Sequence, residues 1–268
     1  MAGAFDQKAA SDNCPDSPLK QATDKKSLRK EIILRRDSLL PDIRKCKDQE
    51  ACTRLKSLNE YKKAGTILLY ASFRSEVNTE SLIRQALADN RIVVLPRCEQ
   101  SDETLKLFAI RQWSDLVPGC WGILEPIEAT DRAIDILSVD IVIAPGVAFD
   151  EDCNRLGYGK GYYDKLLSKR ESVAGAPLRP LVVGLAYEEQ IVPSIPCSPH
   201  DMKMDFVITD KRNIYCHGSK QDLTRRKAYP GRHRRKRGQT GTERYPIARS
   251  QDVRAAVCGS QRTGGRFA

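Results

Sequence analysis

Apolar side chains at helical spacing follow a polar start of the chain. Residues 1–23 are mostly polar and contain two prolines, so we predict a flexible leader there. Asp24 is a suitable helix N-cap. The helical stripe that follows it consists of Leu28, Ile32, Ile33, Leu39 and Leu40. Pro41 is expected to interrupt this helix, and a second helix is predicted over residues 42–61.

Short, nearly continuous apolar runs then alternate with helical patterns. Strands are predicted over residues 66–71, 92–95, 105–110, 139–144, 181–185 and 206–209. We expect Pro96 to end the second of these strands and the run at 206–209 to be the last strand. Helices are predicted after Asn78 and Thr79 and over residues 161–168, whereas residues 113–126 are predicted to be rich in loops.

This alternation indicates βαβ units and a mostly parallel sheet, because continuous apolar runs are typical of strands that are buried on both faces. The predicted fold class is therefore α/β, with three layers in a Rossmann-like arrangement: a sheet flanked by helices. We predict one folded domain over residues 24–216.

Composition narrows the class of protein. The 268 residues are 40% apolar and 30% charged, which is ordinary for a globular protein. No apolar run reaches the roughly 18 residues of a membrane span. The nine cysteines include no C-x-x-C pair, which argues against a disulfide framework or a zinc site and favours a reducing compartment. We expect a cytoplasmic monomer.

The net charge of +10 is confined to one end of the chain. Residues 217–268 contain 14 Lys and Arg but only three Asp and Glu, so the remaining residues have a net charge of −1. We predict that this basic segment is disordered. Two hypotheses for it stay open: weak, nonspecific binding of polyanions, or an extension with no selected role.

Residues 150–164 carry the strongest chemical signal. They follow a predicted buried strand and precede a helix, at the edge where open α/β sheets bind ligands. Gly157, Gly159 and Gly161 allow the backbone to approach an anion closely, and Arg155 and Lys160 add positive charge. A phosphate site is therefore favoured, although glycines at such a position also occur in purely structural turns. The spacing matches neither a Walker loop nor the dinucleotide-binding fingerprint.

The run N-R-L-G-Y-G-K-G-Y-Y-D at residues 154–164 resembles the hallmark of the 5-formyltetrahydrofolate cyclo-ligases, also called 5,10-methenyltetrahydrofolate synthetases. Three other segments are similar to that family's motifs and occur in its order: residues 25–29, 70–77 and 201–205. The resemblance covers about residues 25–215 and implies a fold like that of the NagB/RpiA/CoA-transferase proteins.

The resemblance implies an activity that requires ATP and Mg²⁺. Such enzymes close the formyl group of 5-formyltetrahydrofolate into the ring of 5,10-methenyltetrahydrofolate and release ADP and phosphate. The protein must mainly position groups and stabilise charge in such a reaction. The alternatives are another α/β enzyme that acts on a phosphate-bearing ligand, such as a sugar-phosphate isomerase, or a polyanion-binding role of residues 217–268.

The resemblance also implies roles for individual residues. The implied ATP-binding residues are Lys25, Lys26, Ser27, Leu28, Arg29, Arg155, Leu156, Gly157, Tyr158, Gly159, Lys160, Gly161, Tyr162 and Tyr163. The implied folate-binding residues are Ala71, Glu76, Tyr158, Gly159, Lys160, Gly161 and Tyr162. Lys160 and Arg155 are the implied catalytic residues, and Asp164 and Asp201 the implied Mg²⁺ ligands.

The residues themselves leave some of these roles open. The basic residues at positions 25, 26 and 29 are equally typical of a solvated helix face, and Asp164 of a favourable acid in the first turn of a helix. Tyr158 departs from the family, which often has a basic residue at that position. Charge neutralisation is therefore expected to depend more on Arg155 and Lys160.

Overall fold

The computed structural model describes residues 24–170 and 180–216. The predicted leader at 1–23 and the predicted basic tail at 217–268 lie outside the described residues. In the described part of the chain, no helix has the length and apolar character needed to cross a membrane.

The helices begin where their capping chemistry places them. They are α1 (Lys25–Asp37), α2 (Pro41–Ser57), α3 (Asn59–Lys63), α4 (Glu80–Ala88) and α5 (Tyr162–Ser168). The Asp24 carboxylate accepts hydrogen bonds from the backbone N–H groups of Lys26 and Ser27 at 2.7 and 2.9 Å, which confirms it as the N-cap of α1. Leu39 and Leu40 were wrongly included in the helical stripe: α1 ends at Asp37, before both of them, and Leu40 is 69% exposed.

The predicted second helix is instead two helices. Leu58 adopts an extended backbone conformation, with φ −63° and ψ 137°, and separates α2 from α3. The prediction of one continuous helix over 42–61 was wrong because a single extended residue interrupts a helical pattern without changing its apolar spacing.

Twelve strands occur in the described residues. They are β1 (Thr66–Leu68), β2 (Ile92–Glu99), β3 (Thr104–Ile110), β4 (Leu116–Pro118), β5 (Leu124–Pro126), β6 (Ile141–Ala144), β7 (Ala148–Asp150), β8 (Arg155–Leu156), β9 (Leu181–Leu185), β10 (Ile191–Val192), β11 (Phe206–Ile208) and β12 (Asn213–Tyr215). Seven of them form the main sheet in the order β12-β11-β9-β6-β1-β2-β3. The five inner strands are parallel, and each edge strand is antiparallel to its neighbour.

This sheet confirms the predicted α/β class and its three layers. Ile67 and Ile143 pack on one face of the sheet with α2 and α4. Their neighbours in the same strands, Leu68 and Val142, pack on the other face with α5. Side chains of a strand alternate between the two faces, so continuous apolar strands need helices on both sides. Helix α1 packs separately, against β7 and β8.

Two sequence-based predictions about strands were wrong. Pro96 does not end β2, which continues to Glu99. Beyond Val94, β2 pairs only with β3, so Pro96, which has no N–H, is tolerated on the open side of the strand. The run at 206–209 is not the last strand, because β12 returns antiparallel to β11.

The chain order of the parallel strands reverses at β1. The chain passes from β1 to β2 on one side, and then crosses to β6 on the other side and continues to β9 and β11. Ligands of open α/β sheets bind at the carboxyl ends of the strands that flank such a reversal. The ends of β1 and β6 are therefore the expected position of a functional site.

Candidate active site

A cleft of about 540 Å³ lies at this reversal point. Tyr70 and Ala71, just after β1, line one part of it, and Pro145, just after β6, lines another. The glycine loop, residues 157–161, connects β8 to α5 and lines the cleft along its whole length. The segment that the sequence singled out therefore lies where the topology predicts a ligand.

Two glycines give the loop its path. Gly159 has φ +105° and Gly161, the N-cap of α5, has φ +72°. Residues with a Cβ rarely adopt these angles, so glycine allows the backbone to turn sharply into α5. The loop presents backbone rather than bulky side chains to the cleft at these two positions.

Arg155 is fixed beneath the loop. Its side chain is almost fully buried, and Nη2 donates to Asp164 Oδ1 at 3.0 Å while Nη1 donates to the Pro145 carbonyl at 3.3 Å. The guanidinium carbon lies 5.5 Å from the centre of the Tyr163 ring. Within the described residues its Nε has no hydrogen-bond partner. The cleft thus contains a cation whose position is determined before any ligand binds.

Lys160, unlike Arg155, is an exposed cation that is weakly held. Its side chain is 61% exposed, and Nζ lies 3.5 Å from the equally exposed Glu103 carboxylate. An ion pair between such exposed groups is weak. The side chain is therefore able to leave Glu103 and follow a ligand in the cleft.

Helix α1 contributes two more cations to the cleft. Arg29 Nε donates to the Gly157 carbonyl at 2.7 Å, and Lys25 Nζ donates to Ser198 Oγ at 3.1 Å and pairs with Asp201. The neighbouring predicted ATP-binding residues do not line the cleft: Lys26 and Ser27 are exposed, and Leu28 packs in the core against β7 and β8.

The two predicted metal ligands both line the cleft. Asp164 Oδ1 accepts from Arg155 and from the Met202 N–H at 3.2 Å. Burial opposes ionisation of Asp201, but Lys25 and the Ser198 N–H outweigh it and lower the pKa of Asp201. Two carboxylates that line the same cleft offer the oxygen ligands that a hard divalent cation such as Mg²⁺ prefers. The residues therefore fit a Mg²⁺ ion.

Glu76 forms the opposite part of the cleft. It is 8% exposed; Oε2 accepts from the Phe73 N–H at 2.9 Å, and Oε1 accepts from the Tyr158 hydroxyl at 2.7 Å. Burial raises the pKa of this carboxyl. Glu76 is thus a buried acceptor aligned by the glycine loop itself.

Sequence reasoning missed Arg36. This residue is fully buried; Nε donates to Ser75 Oγ at 2.9 Å, and Nη2 donates to the Tyr158 hydroxyl at 3.0 Å. A signal for it exists in the sequence, because Arg36 continues the buried stripe of Leu28 and Ile32 at four-residue spacing. A charged residue on an apolar stripe indicates a buried polar partner.

The two consecutive tyrosines of the hallmark have different environments. The Tyr163 hydroxyl is buried and has no hydrogen-bond partner within residues 24–170 and 180–216, and burial raises its pKa. The neighbouring Cys98 thiol, together with smaller effects of burial and nearby charges, raises the pKa of Tyr162 to about 12. The ring of Trp121 lies 6.2 Å from that of Tyr162, edge to face, and also lines the cleft, which no sequence pattern indicated.

An open α/β sheet with a glycine loop, several cations and two carboxylates around one cleft is typical of an enzyme that acts on phosphate-bearing ligands. The chain belongs to the 5-formyltetrahydrofolate cyclo-ligase family, whose sequence profile matches residues 21–210.

Relatives support this assignment. The 5-formyltetrahydrofolate cyclo-ligase of Mus musculus is 33% identical over 189 residues, which cover 69% of this chain and 92% of that protein. The Escherichia coli K12 enzyme of the same name is 30% identical over 182 residues, which cover 68% of this chain and 97% of that protein. The NMR structure of Aquifex aeolicus 5,10-methenyltetrahydrofolate synthetase matches with a TM-score of 0.62 and 28% identity, over 84% of this chain and 99% of that one.

Proposed function

We propose that this chain uses ATP to convert 5-formyltetrahydrofolate to 5,10-methenyltetrahydrofolate, with release of ADP and phosphate. Family membership supports this reaction. The observation in this chain that most supports the reaction is the hydrogen bond from Tyr158, in the glycine loop, to Glu76, which also lines the cleft. A phosphate-binding loop and a buried acceptor for a second ligand are therefore direct neighbours.

The chemistry requires that proximity. A formyl oxygen is a poor leaving group, so it first attacks the γ-phosphorus of ATP and displaces ADP. The neighbouring amine of the folate then attacks the activated carbon, and the carbon–oxygen bond breaks as phosphate leaves. Both steps depend on holding two bound molecules in contact and on stabilising phosphate charge.

The nucleotide is proposed to bind along the glycine loop. Backbone groups of residues 157–161 approach the phosphates, while Arg29 and Lys25 contribute charge from α1. Arg155 supplies a fixed charge and Lys160 a mobile one, which neutralise the charge that develops on the transferred group. These two residues are the proposed catalytic cations.

Asp164 and Asp201 are proposed to hold Mg²⁺ together with phosphate oxygens. When bound, Mg²⁺ neutralises negative charge on the phosphates. Lys25 and Arg155, which pair with Asp201 and Asp164, would then share these carboxylates with the ion.

The folate is proposed to bind at Glu76. Pterin rings carry N–H donors, and an ionised carboxylate accepts two such bonds. Ala71 and Tyr162 line the adjoining wall of the cleft. Tyr158 lies between the two ligands: its hydroxyl aligns Glu76, and its ring, 47% exposed, faces the cleft.

An absorbance assay tests this function. Purified full-length chain with 5-formyltetrahydrofolate, ATP and Mg²⁺ should generate the absorbing methenyl product, and omission of either ATP or Mg²⁺ should abolish it. Absence of product in a folded sample that contains all components would contradict the proposal. Product formation that persists without Mg²⁺, after treatment with a chelator, would contradict the metal assignment alone.

We further propose that the enzyme acts as a cytoplasmic monomer. Sedimentation velocity of the full-length chain should give a single species near its mass of 30.1 kDa. A species of twice that mass would contradict the monomer.

A further inference from the structure

Two cysteines and one glutamate meet at the wall of the cleft, apart from the residues assigned above. The Sγ atoms of Cys98 and Cys120 and a carboxylate oxygen of Glu125 all lie within 4.8 Å of one another. Cys98 is in β2, Cys120 is in the turn between β4 and β5, and Glu125 is in β5. Three ligands of the types that bind zinc therefore converge from separate elements.

Hydrogen-bond donors hold two of these three groups. Gln100 Nε2 donates to Cys120 Sγ at 3.1 Å. The Cys120 N–H donates to Glu125 Oε1 at 3.2 Å. A donor directed at a sulfur atom orients that atom as a ligand.

The charges around the cluster also favour a divalent cation. Glu125 is 4% exposed, and Arg97 Nη1 lies 3.9 Å from its Oε2. Two thiolates and one carboxylate would leave a large excess of negative charge beside a single arginine. A divalent ion together with Arg97 balances it. Sulfur ligands select a soft or borderline ion such as zinc over Mg²⁺.

We propose that Cys98, Cys120 and Glu125 bind one zinc ion. Sulfurs at about 2.3 Å from zinc are roughly 3.8 Å apart in a tetrahedron, so each ligand needs to move by no more than about 1 Å. Cys98 and Glu125 line the cleft, so the fourth position is open to water or to a group of a bound molecule. The site is distinct from the proposed Mg²⁺ ligands and does not depend on the proposed reaction.

The ion would connect two walls of the cleft. It joins β2 to the turn that carries Trp121, whose ring lies against Tyr162 of the glycine-loop segment. Sequence spacing argued against zinc because the chain has no C-x-x-C pair. The three ligands are instead 22 and five positions apart and meet only because β5 packs beside β2.

Cobalt substitution tests the site in the full-length chain. Protein that is freed of metal and kept reduced with a phosphine should bind one equivalent of Co²⁺. Thiolate-to-cobalt charge-transfer absorption and intense tetrahedral d–d bands should appear, and one equivalent of Zn²⁺ should remove both. Binding without charge-transfer absorption would overturn the proposal.

Variants distinguish this cluster from the other cysteines. Cys120→Ser and Cys98→Ser should each lose the cobalt spectrum, and Glu125→Gln should lose stoichiometric binding, with unchanged circular dichroism showing that the chain is folded. Cys46→Ser, which alters an exposed cysteine of α2, should bind as the unmodified chain does. An unchanged spectrum in folded Cys120→Ser or Glu125→Gln, or equal loss in Cys46→Ser, would refute the site.

Discussion

Arg155 and Lys160 show how the surroundings of a residue determine what its charge can do. Arg155 is buried and held by Asp164 and by a main-chain carbonyl, so it contributes a charge at a fixed place. Lys160 is mostly exposed, and its Nζ lies 3.5 Å from the Glu103 carboxylate. A fixed cation stabilises charge without reorganisation, whereas an exposed lysine adapts to a group that moves during transfer.

Replacement of Lys160 by alanine is expected to separate activity from stability. Lys160→Ala should lower kcat/KM about 10²- to 10³-fold, because the substitution removes a positive charge that stabilises the negative charge on the transferred group. The free energy of unfolding should change by less than about 0.5 kcal/mol, because the side chain is exposed. Steady-state kinetics and denaturant titration measure the two effects.

Lys165→Ala provides the matched control. Lys165 is also exposed and pairs with the same Glu103, at 3.7 Å, but it does not line the cleft. It should keep the activity of the unmodified chain. Equal losses in the two variants would show that the shared pairing with Glu103, rather than the position of Lys160, matters.

Glu76 should give folate binding a pH dependence. Its pKa is raised, mainly by burial, and only the ionised form accepts two bonds from the pterin. KM for the folate should therefore rise as pH falls through this raised pKa, at a higher pH than an ordinary glutamate would require. The KM for ATP should not show this rise as the pH falls.

Two substitutions check the origin of that rise. Glu76→Gln should abolish it. Tyr158→Phe should move it to higher pH, because the hydrogen bond from Tyr158 lowers the pKa of Glu76 and its loss leaves burial less opposed. If the folate KM rises over the same pH range in the unmodified chain and in both variants, the titrating group is not Glu76.

The glycine loop is the element whose backbone determines the site. Its path depends on positive φ at Gly159 and Gly161, and the second of these residues also starts α5. A Cβ built at Gly161 meets no atom within 4 Å, so only backbone conformation opposes a side chain there.

Substitutions at Gly161 should therefore follow backbone preference rather than size. Gly161→Val should lower the free energy of unfolding by about 1–2 kcal/mol and lower kcat/KM, because a branched residue resists left-handed φ. Gly161→Asn should retain most of both, since asparagine tolerates this region. Thermal unfolding measures the change in stability, and steady-state kinetics measures the change in kcat/KM. Equal effects of the two substitutions would contradict a conformational cause.

The elements show which features local sequence determines. The strands at the centre of the sheet were predicted because burial on both faces makes them continuously apolar, as in β6 and β9. The hairpin β4–β5 and the edge strand β12 were not predicted, because each of these strands is only three residues long and too short to show a strand pattern in the sequence. The break at Leu58 was missed because it leaves the apolar spacing almost intact.

The same distinction applies to the site. The glycine loop was found from sequence because its chemistry is contiguous. The pairing of Lys25 with Asp201, 176 positions apart, and the contact of Arg36 with Tyr158 arise only from packing. Lys26, Ser27 and Leu28 were included with their neighbours by motif, yet a helix directs consecutive residues to different sides, and these three point away from the cleft.

At the scale of the whole molecule, charge and fold are separated along the chain. The described part contains the complete sheet and the cleft, whereas the excess of positive charge lies in residues 217–268. The active site is therefore proposed to be independent of that segment.

Deletion of residues 217–268 tests this independence. The shortened chain should keep ATP-dependent turnover within about twofold of the full chain, because no cleft residue is removed. It should lose binding to a nucleic-acid duplex, which the full chain should show at low salt and lose steeply as salt increases. Loss of turnover in a folded, shortened chain would contradict the proposal.

Helix α1 contacts both halves of the cleft. Arg29 contacts the glycine loop, and Arg36, seven residues or about 10 Å farther along the same helix, supports the Tyr158–Glu76 pair. A short helix translates as a unit, so a nucleotide that shifts one contact also shifts the other. We therefore expect occupancy by either proposed substrate to alter the affinity for the other by one common factor, so that the two binding events are thermodynamically cooperative.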